Sequence, residues 1–351
     1  MNQLKLNVSL LRRKVPNLTS AAKTVGLRPA TVSNLCTGKI PIERAEVRTL
    51  AALAELAKCS LDELLIKSKD GEMIETGIKI IDFFAPIVKG GNIGCVARPG
   101  MGQLVVLGEV LTRVDKKETC TIAYFQNENG PGIDDVLHAA EIICQTMDDV
   151  FQEAVSEGKK RDIFLAMDRS VIESGEYFSL QEKLEEQNIQ PVTFFLADPR
   201  GEAVDENEPY GPLESLWQFD AELISRRYYP AINPIYSTST ILEGSYVDQH
   251  HMILQQKAKK LLRRYRELRF LISANTNANL SQDDKEIFER GQRLEAYFTQ
   301  AFYVAEEFTK IKGTNVHLKD VLYDVQRILN GDTDHAKVDK LMYIASLPEK
   351  I

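Results

Sequence analysis

Long apolar runs, paired cysteines and histidines at metal-binding spacing are all missing from this 351-residue sequence. No run approaches the roughly 18 consecutive apolar residues of a membrane helix, so a membrane-spanning protein is not expected. The first residues also lack an apolar stretch followed by small residues, which argues against a secretory signal. The five cysteines form no C-x-x-C pair, and the five histidines show no ligand pattern. These absences predict reduced thiols, no metal site and a cytoplasmic protein.

What the sequence does contain is an uneven distribution of charge. The net charge is −8, yet residues 1–69 hold twelve Lys or Arg against five Asp or Glu and so carry +7. The remaining residues therefore carry −15. A small basic module joined to a large acidic body predicts that the N-terminal part meets an anionic partner such as double-stranded DNA. Small helical domains are also often basic without binding any anion.

The apolar pattern divides the chain into three regions. The first consists of short helices, and the third shows a 3.6-residue period typical of helices. In the second, strand-like runs are predicted at 92–96, 121–125, 163–167 and 192–196, and helices between them at 103–114 and 133–154. This alternation is typical of a parallel sheet flanked by helices. The expected organisation is an all-α module, an α/β domain and a helical domain, at residues 1–69, 70–247 and 248–351.

Residues 18–37, LTSAAKTVGLRPATVSNLCT, have the spacing of a helix-turn-helix. Ala22 is small enough to let two helices approach, and Gly26 takes the turn between them. Val32 and Leu35 then return to the apolar face. The segment resembles the Cro/repressor family, which implies a DNA-binding module.

In such a module the second helix enters the major groove with its N-terminal end. Arg28 would then meet a guanine or a phosphate, and Asn34 an adenine. The side chains expected to face DNA are those of Arg28, Thr31, Ser33, Asn34 and Thr37, with Lys23, Lys39 and Arg44 at phosphates. A helical bundle that contacts other proteins uses the same small-residue turn and is the alternative.

A damaged phosphate-binding loop follows the strand predicted at 92–96. A working loop reads G-x-x-x-x-G-K-[ST], whereas residues 97–104 read ARPGMGQL. Glutamine thus stands at the position of the lysine, and leucine at that of the hydroxyl that binds Mg²⁺. Loss of the lysine charge predicts triphosphate binding weakened by roughly ten- to a hundredfold. The backbone that would still cradle an anion belongs to Gly100, Met101, Gly102, Gln103 and Leu104.

Segments around this loop resemble, in order, the catalytic beta subunit of rotary ATP synthases. They read ETGIKIIDFFAPIVKGG (75–91), FDAELISR (219–226), YPAINP (229–234), LSQDDK (280–285), FTQAFYVAEEFT (298–309) and ILNG (328–331). The resemblance spans residues 74–346, nearly four-fifths of the chain. It implies a RecA-like P-loop sheet flanked by helices, ATP or ADP as the nucleotide, and side-by-side assembly into a ring-like homo-oligomer.

The same resemblance assigns roles to single residues. Asp168 stands at the position of the Walker B aspartate, and Glu128 at that of the general base. The positions that contact adenine are held by Phe302, Ala305 and Phe308. Elsewhere the family's functional residues are replaced: a stacking tyrosine by Met252, and arginines by Asn129, Ile172 and Thr240.

These correlated losses predict a pseudoenzyme with no working catalytic residues. The expected function is a DNA-binding, transcription-regulatory protein whose body serves oligomerisation or nucleotide sensing, and Asp168 and Glu128 persist as vestigial structural groups. Two alternatives remain open. The chain hydrolyses ATP slowly through Glu128, Asp168 and Arg98, or it is an interaction module that docks on an ATP synthase-like assembly.

Overall fold

A computed structural model shows a mixed α/β protein with a mostly parallel seven-stranded sheet flanked by helices. This architecture confirms the fold class expected from the alternation of strands and helices. The structure describes residues 4–6, 11, 14–15, 18–36, 40, 42–67, 72–126, 132–189, 191–199, 201, 213–242, 248–274 and 280–348.

The N-terminal module combines short helices with a small sheet. Its elements are β1 (Leu4–Leu6), α1 (Leu18–Thr24), α2 (Pro29–Cys36), α3 (Val47–Ala57), α4 (Leu61–Leu64) and β2 (Leu65–Lys67). The two strands pair antiparallel. The expectation of an all-α module is therefore wrong, because the first and last segments of the module satisfy their backbone hydrogen bonds with each other.

The turn between α1 and α2 has the geometry that the sequence predicts. Gly26 has φ +75°, and the Leu27 N–H donates to the Ala22 carbonyl over 2.9 Å. This is the bond of a helix C-terminus closed by a left-handed glycine. Ala22, Val32 and Leu35 are buried in the core of the module. The two helices are thus held together by the residues that define the spacing.

The body opens with a two-stranded hairpin and continues into the central sheet. The hairpin strands β3 (Met73–Ile74) and β4 (Ile87–Val88) enclose α5 (Lys79–Phe84). The sheet strands are β5 (Asn92–Val96), β6 (Thr119–Tyr124), β7 (Ile142–Ile143), β8 (Asp162–Asp168), β9 (Val192–Ala197), β10 (Ser215–Gln218) and β11 (Thr238–Ser239). Their spatial order is β11-β10-β5-β9-β8-β6-β7, with β11 antiparallel to β10 and the other pairs parallel.

Both faces of the sheet are buried, which explains why its strands are apolar almost throughout. Along β8, Ile163, Leu165 and Met167 join one apolar cluster, while Phe164 and Ala166 join the other. This alternation of period two is typical of a strand covered on both sides.

Helices follow the strands and cover the two faces. Between the sheet strands lie α6 (Gln103–Arg113), α7 (Ile133–Ala139), α8 (Met147–Glu157), α9 (Ser170–Glu173), α10 (Glu176–Glu186) and α11 (Ala221–Ser225). The single helix predicted over 133–154 is wrong, because β7 interrupts it and pairs with β6. Thr146 and Asp149 then form a capping box that starts α8. That Thr-x-x-Asp pattern was a visible signal for a new helix.

The C-terminal part that the structure describes is helical, as predicted. Its helices are α12 (Gln249–Ala274), α13 (Gln282–Tyr297), α14 (Glu306–Thr309) and α15 (Leu318–Asn330). Leu262, Leu294 and Val325 from these helices share one apolar cluster with Ile93 of β5. The boundary predicted at residue 248 therefore lies within a region of continuous core packing, and the three-domain division stays a prediction.

Candidate functional site

The loop between β5 and α6 is the segment that the sequence predicts to bind phosphate, and it contains two glycines with positive φ. Gly100 and Gly102 have φ +80° and +89°, a conformation that side chains with a Cβ rarely adopt. A Cβ at either position would meet no atom within 4 Å, so backbone conformation explains these glycines better than crowding. Gly102 caps α6, whose first residue is Gln103. The free N–H groups at the start of this helix remain suited to an anion.

The side chains at the two replaced positions are turned into the protein. Gln103 and Leu104 are only 4% and 6% exposed. Leu104 belongs to the large apolar cluster and faces the start of α7, where a Cβ on Gly132 would lie 3.5 Å from the Leu104 Cβ. An apolar side chain fixed by packing offers no oxygen to Mg²⁺. Arg98, by contrast, is exposed to solvent.

Asp168 lies at the same edge of the sheet as the loop. It ends β8 and pairs with Ala197 at the end of β9, the strand that lies next to β5. Carboxyl ends of parallel strands meet at one edge, where α/β proteins bind ligands. The Asp168 Oδ1 accepts a hydrogen bond from the Ser170 N–H at 2.8 Å. Glu128 and Asn129, which are also predicted at this site, lie outside the described residues.

Two further charged residues lie at this edge that were not predicted. Arg169 is buried, and its guanidinium lies 2.7 Å from a Glu173 oxygen and 3.9 Å from the Asp198 Oδ2. Asp198 comes directly after the apolar run of β9, just as Asp168 ends β8. A polar residue that closes a buried strand was therefore a signal for both aspartates. Arg169 carried no such signal, because its burial depends on neighbouring strands.

The turn after β9 reaches the phosphate loop itself. A Cβ on Gly201 would lie 2.4 Å from the Pro99 Cδ, so this close approach requires glycine. The Gly201 N–H donates to the Asp198 carbonyl over 3.2 Å. Beneath the loop, burial and then the nearby Asp198 carboxylate raise the pKa of the Cys95 thiol above its usual range. The loop is thus supported by the buried strand β5 and by the turn at Gly201.

A buried carboxylate connects α6 to the segment predicted to contact adenine. The Glu109 carboxylate accepts hydrogen bonds from the N–H groups of Tyr303 and Val304, each over 3.0 Å. It also accepts one from the Arg113 Nε at 2.6 Å, and the Arg113 guanidinium lies 4.7 Å from the centre of the Tyr303 ring. The tertiary structure therefore brings residues 303–305 against the helix that follows the phosphate loop.

The three residues expected at adenine differ sharply in exposure. Phe302 is buried in the main apolar cluster, and Ala305 packs partly against it. Phe308 is 87% exposed. Met252, which the resemblance places where a stacking tyrosine is expected, is half-buried on α12, and Ile172 is buried. The structure thus brings Phe302 and Ala305 together, and leaves Phe308 on the surface.

A buried lysine fastens the segment before the loop to the C-terminal helices. The Lys79 Nζ donates to the carbonyls of Tyr297 and of Ile344, the latter over 2.8 Å. Burial lowers the pKa of Lys79 to about 7, and the Asp324 carboxylate opposes this shift. The Tyr297 hydroxyl in turn donates to Asp324 over 3.0 Å. This network gives the segment 75–91 a structural role that is independent of nucleotide chemistry.

The N-terminal module presents several of its predicted DNA-facing residues to solvent. Lys23, Arg28 and Arg44 are exposed. Arg28 lies directly before α2, and its carbonyl accepts the first hydrogen bonds of that helix. The next three predicted residues, Thr31, Ser33 and Asn34, are half-buried. Thr37 and Lys39 lie outside the described residues.

No protein-family model matches the chain. In the described part of the chain, no group of three or more His, Cys, Asp or Glu side chains is placed to hold a metal ion. Across the same residues, no helix combines the length and apolar character needed to cross a membrane.

Proposed function

We propose that this chain is a DNA-binding, transcription-regulatory protein whose body is a catalytically inactive RecA-like domain. The observation that carries the proposal is the exposed cationic group around α1 and α2, made up of Lys23, Arg28 and Arg44. Lys23 lies in α1, Arg28 directly before α2 and Arg44 after it, and the turn at Gly26 with its positive φ supports the interpretation of this pair as a helix-turn-helix. Cations at such positions neutralise phosphates and orient the second helix in the major groove.

The RecA-like character of the body is part of the proposal. It is supported by the loop between β5 and α6, by Asp168 at the same sheet edge, and by the resemblance to the catalytic beta subunit of rotary ATP synthases. The family's assembly into rings supports a homo-oligomer with several copies of the N-terminal module. Modules linked in this way bind one DNA molecule more tightly than a single module does.

The loss of catalysis is supported by packing around the loop. Leu104 occupies the metal-binding position and is held in the core, and Gln103 supplies no charge to a β- or γ-phosphate. Magnesium and lysine stabilise the phosphoryl group during transfer, so their joint loss affects turnover more than binding. Backbone N–H groups at the start of α6 still favour an anion.

The DNA-binding proposal is tested with the full chain and a fluorescent duplex of mixed sequence. We expect binding that weakens as salt is raised between about 50 and 200 mM. A variant with Lys23→Gln, Arg28→Gln and Arg44→Gln should lower the slope of log affinity against log salt by about 3, at roughly 0.9 per phosphate contact. The matched control removes three exposed cations of the body, Lys116→Gln, Lys117→Gln and Lys310→Gln. Equal effects of the two variants, or no binding by the natural chain, would refute the proposal.

Nucleotide binding without hydrolysis is a second candidate function of the body. It is favoured by the two hydrogen bonds that the N–H groups of Tyr303 and Val304 donate to the Glu109 carboxylate, because they hold the segment predicted to contact adenine against α6. Titration with ATP and ADP, with and without Mg²⁺, measures this binding, and a turnover assay runs beside it. Turnover that disappears in a Glu128→Gln variant would instead establish a slow ATPase.

A further inference from the structure

The long helix α12 carries an unusual excess of positive charge for a body that is acidic overall. Its 26 residues include seven Lys or Arg and a single acidic residue, Glu267. The basic residues are Lys257, Lys259, Lys260, Arg263, Arg264, Arg266 and Arg269. A surface helix usually mixes charges of both signs, so this composition requires an explanation.

Four of the seven cations are already engaged within the body. The Lys259 Nζ donates to the Ser237 carbonyl over 3.0 Å. The three arginines among the four form ion pairs with acidic side chains: Arg264 with Glu267 and Asp284, Arg266 with Asp220, and Arg269 with Glu222 and Glu295. Glu267 is therefore neutralised by Arg264. These contacts explain four of the seven basic residues by their role within the body.

The other three cations, Lys257, Lys260 and Arg263, are exposed. Within the described residues they form no ion pair with an acidic side chain. They are spaced three residues apart, so they project from neighbouring turns of one helix face over about 9 Å at a rise of about 1.5 Å per residue. We call these three residues the α12 basic strip.

The partner of the α12 basic strip is indicated by what lies between its cations. Among the intervening positions Ala258 and Leu262 are buried and Leu261 is half-buried, while the exposed apolar side chains of α12, those of Ile253, Phe270 and Leu271, lie outside residues 257–263. A helix face that binds a protein groove carries apolar anchors, which are missing from this stretch. A nucleic-acid duplex presents about one negative charge per 1.7 Å of its axis, so a strip of about 9 Å faces several phosphates.

We propose that the α12 basic strip contacts the phosphate backbone of duplex DNA and adds a sequence-independent contact to that of the N-terminal module. This inference rests on the proposed function, because the module is what brings the chain to DNA. The strip reads no bases, since lysine and arginine at phosphates position a protein without specifying sequence. It raises affinity and salt dependence and leaves sequence preference unchanged.

The test compares full-length chains on the same fluorescent duplex. A strip variant carries Lys257→Gln, Lys260→Gln and Arg263→Gln, and the matched control carries Lys116→Gln, Lys117→Gln and Lys310→Gln, which changes the net charge equally. We expect the strip variant to lower the slope of log affinity against log salt by about 2–3. The control should keep the slope of the natural chain. Circular dichroism and thermal unfolding check that each variant is folded.

Each outcome separates this proposal from the function on which it rests. If the strip variant keeps the salt slope of the natural chain while the variant at Lys23, Arg28 and Arg44 lowers it, the strip proposal is refuted and DNA binding by the module is supported. If the strip variant and the body control lose the same amount, the effect is one of net charge and the strip is refuted. A lower slope in the strip variant alone refutes the module, and with it the proposal that the strip adds to a contact made by the module. Loss in both the strip and module variants, with the control unchanged, supports both.

Discussion

The predicted phosphate loop and the N-terminal helix pair differ in the exposure of the side chains predicted to bind a ligand. In the predicted phosphate loop, Gln103 and Leu104 are buried, so their side chains are held in the protein interior. In the helix pair, Ala22, Gly26 and Val32 hold the frame, and Lys23 and Arg28 remain exposed. A side chain at a predicted binding site can therefore serve packing when the core covers it. Exposure of the side chains distinguishes the two cases.

The largest effect is expected where the Glu109 carboxylate of α6 binds the backbone of residues 303–304. Glu109→Gln leaves the buried Arg113 without its anionic partner and weakens the bonds from Tyr303 and Val304. Loss of one partner of a buried pair costs about 3–5 kcal/mol of unfolding free energy. Urea unfolding measures this value, and Glu118→Gln on the surface is the control. A small loss of unfolding free energy in Glu109→Gln would show that these bonds do not hold α6 against residues 303–304.

A second, pH-dependent effect is expected at Lys79. Because burial lowers its folded-state pKa to about 7 from 10.5, the unfolded chain binds an additional proton between these two values. The free energy of unfolding should therefore rise with pH through this window, by an amount on the order of 2–4 kcal/mol. In Lys79→Met that contribution is absent. The difference between the two unfolding curves isolates Lys79, and a constant difference from pH 7 to 10.5 would contradict the shift.

A smaller effect is expected when the loop chemistry is rebuilt. Gln103→Lys with Leu104→Thr introduces the charge and the hydroxyl that a working loop carries at these two positions. We expect binding of Mg²⁺-ATP to strengthen by roughly ten- to a hundredfold, since one charge-assisted hydrogen bond is worth about 1.5–3 kcal/mol. Titration calorimetry measures it, with Gln103→Met as a control without charge. If the natural chain bound ATP more tightly with Mg²⁺ than with EDTA, the inference that Leu104 leaves Mg²⁺ without a ligand would be contradicted.

The smallest effect is expected at Phe308, on the surface of the segment predicted to contact adenine. Phe308 is 87% exposed, so Phe308→Ala should change the unfolding free energy by less than about 0.5 kcal/mol. Phe302 is the matched comparison, because it is an aromatic of the same type in the core and its replacement by alanine costs about 3–5 kcal/mol. Equal losses in thermal or urea unfolding would show that Phe308 is covered by another part of the chain.

Much of the sheet was predictable because buried parallel strands are uniformly apolar. Four predicted strands match β5, β6, β8 and β9 to within two residues at each end. The short strand β7 was missed, because two residues within a helical pattern carry no periodicity of their own. The strands of the N-terminal module, with three residues each, were missed because they are also too short to show a period. The aspartates at the strand ends were predictable in principle, whereas Arg169 and Glu109 depend on contacts with residues distant in the chain.

The sequence by itself determined the local features: the apolar strands, the glycines that take positive φ, the basic N-terminal region, and the glutamine and leucine at positions 103 and 104. These depend on residue type and short spacing, so they need no information about distant parts of the chain. Only the tertiary structure decided which charges are buried and which are exposed. Leu104 is in the core, Glu109 is bonded to the backbone of residues 303–304, and the α12 basic strip faces solvent. Burial depends on what packs against a side chain, and most of those neighbours lie far away in the sequence.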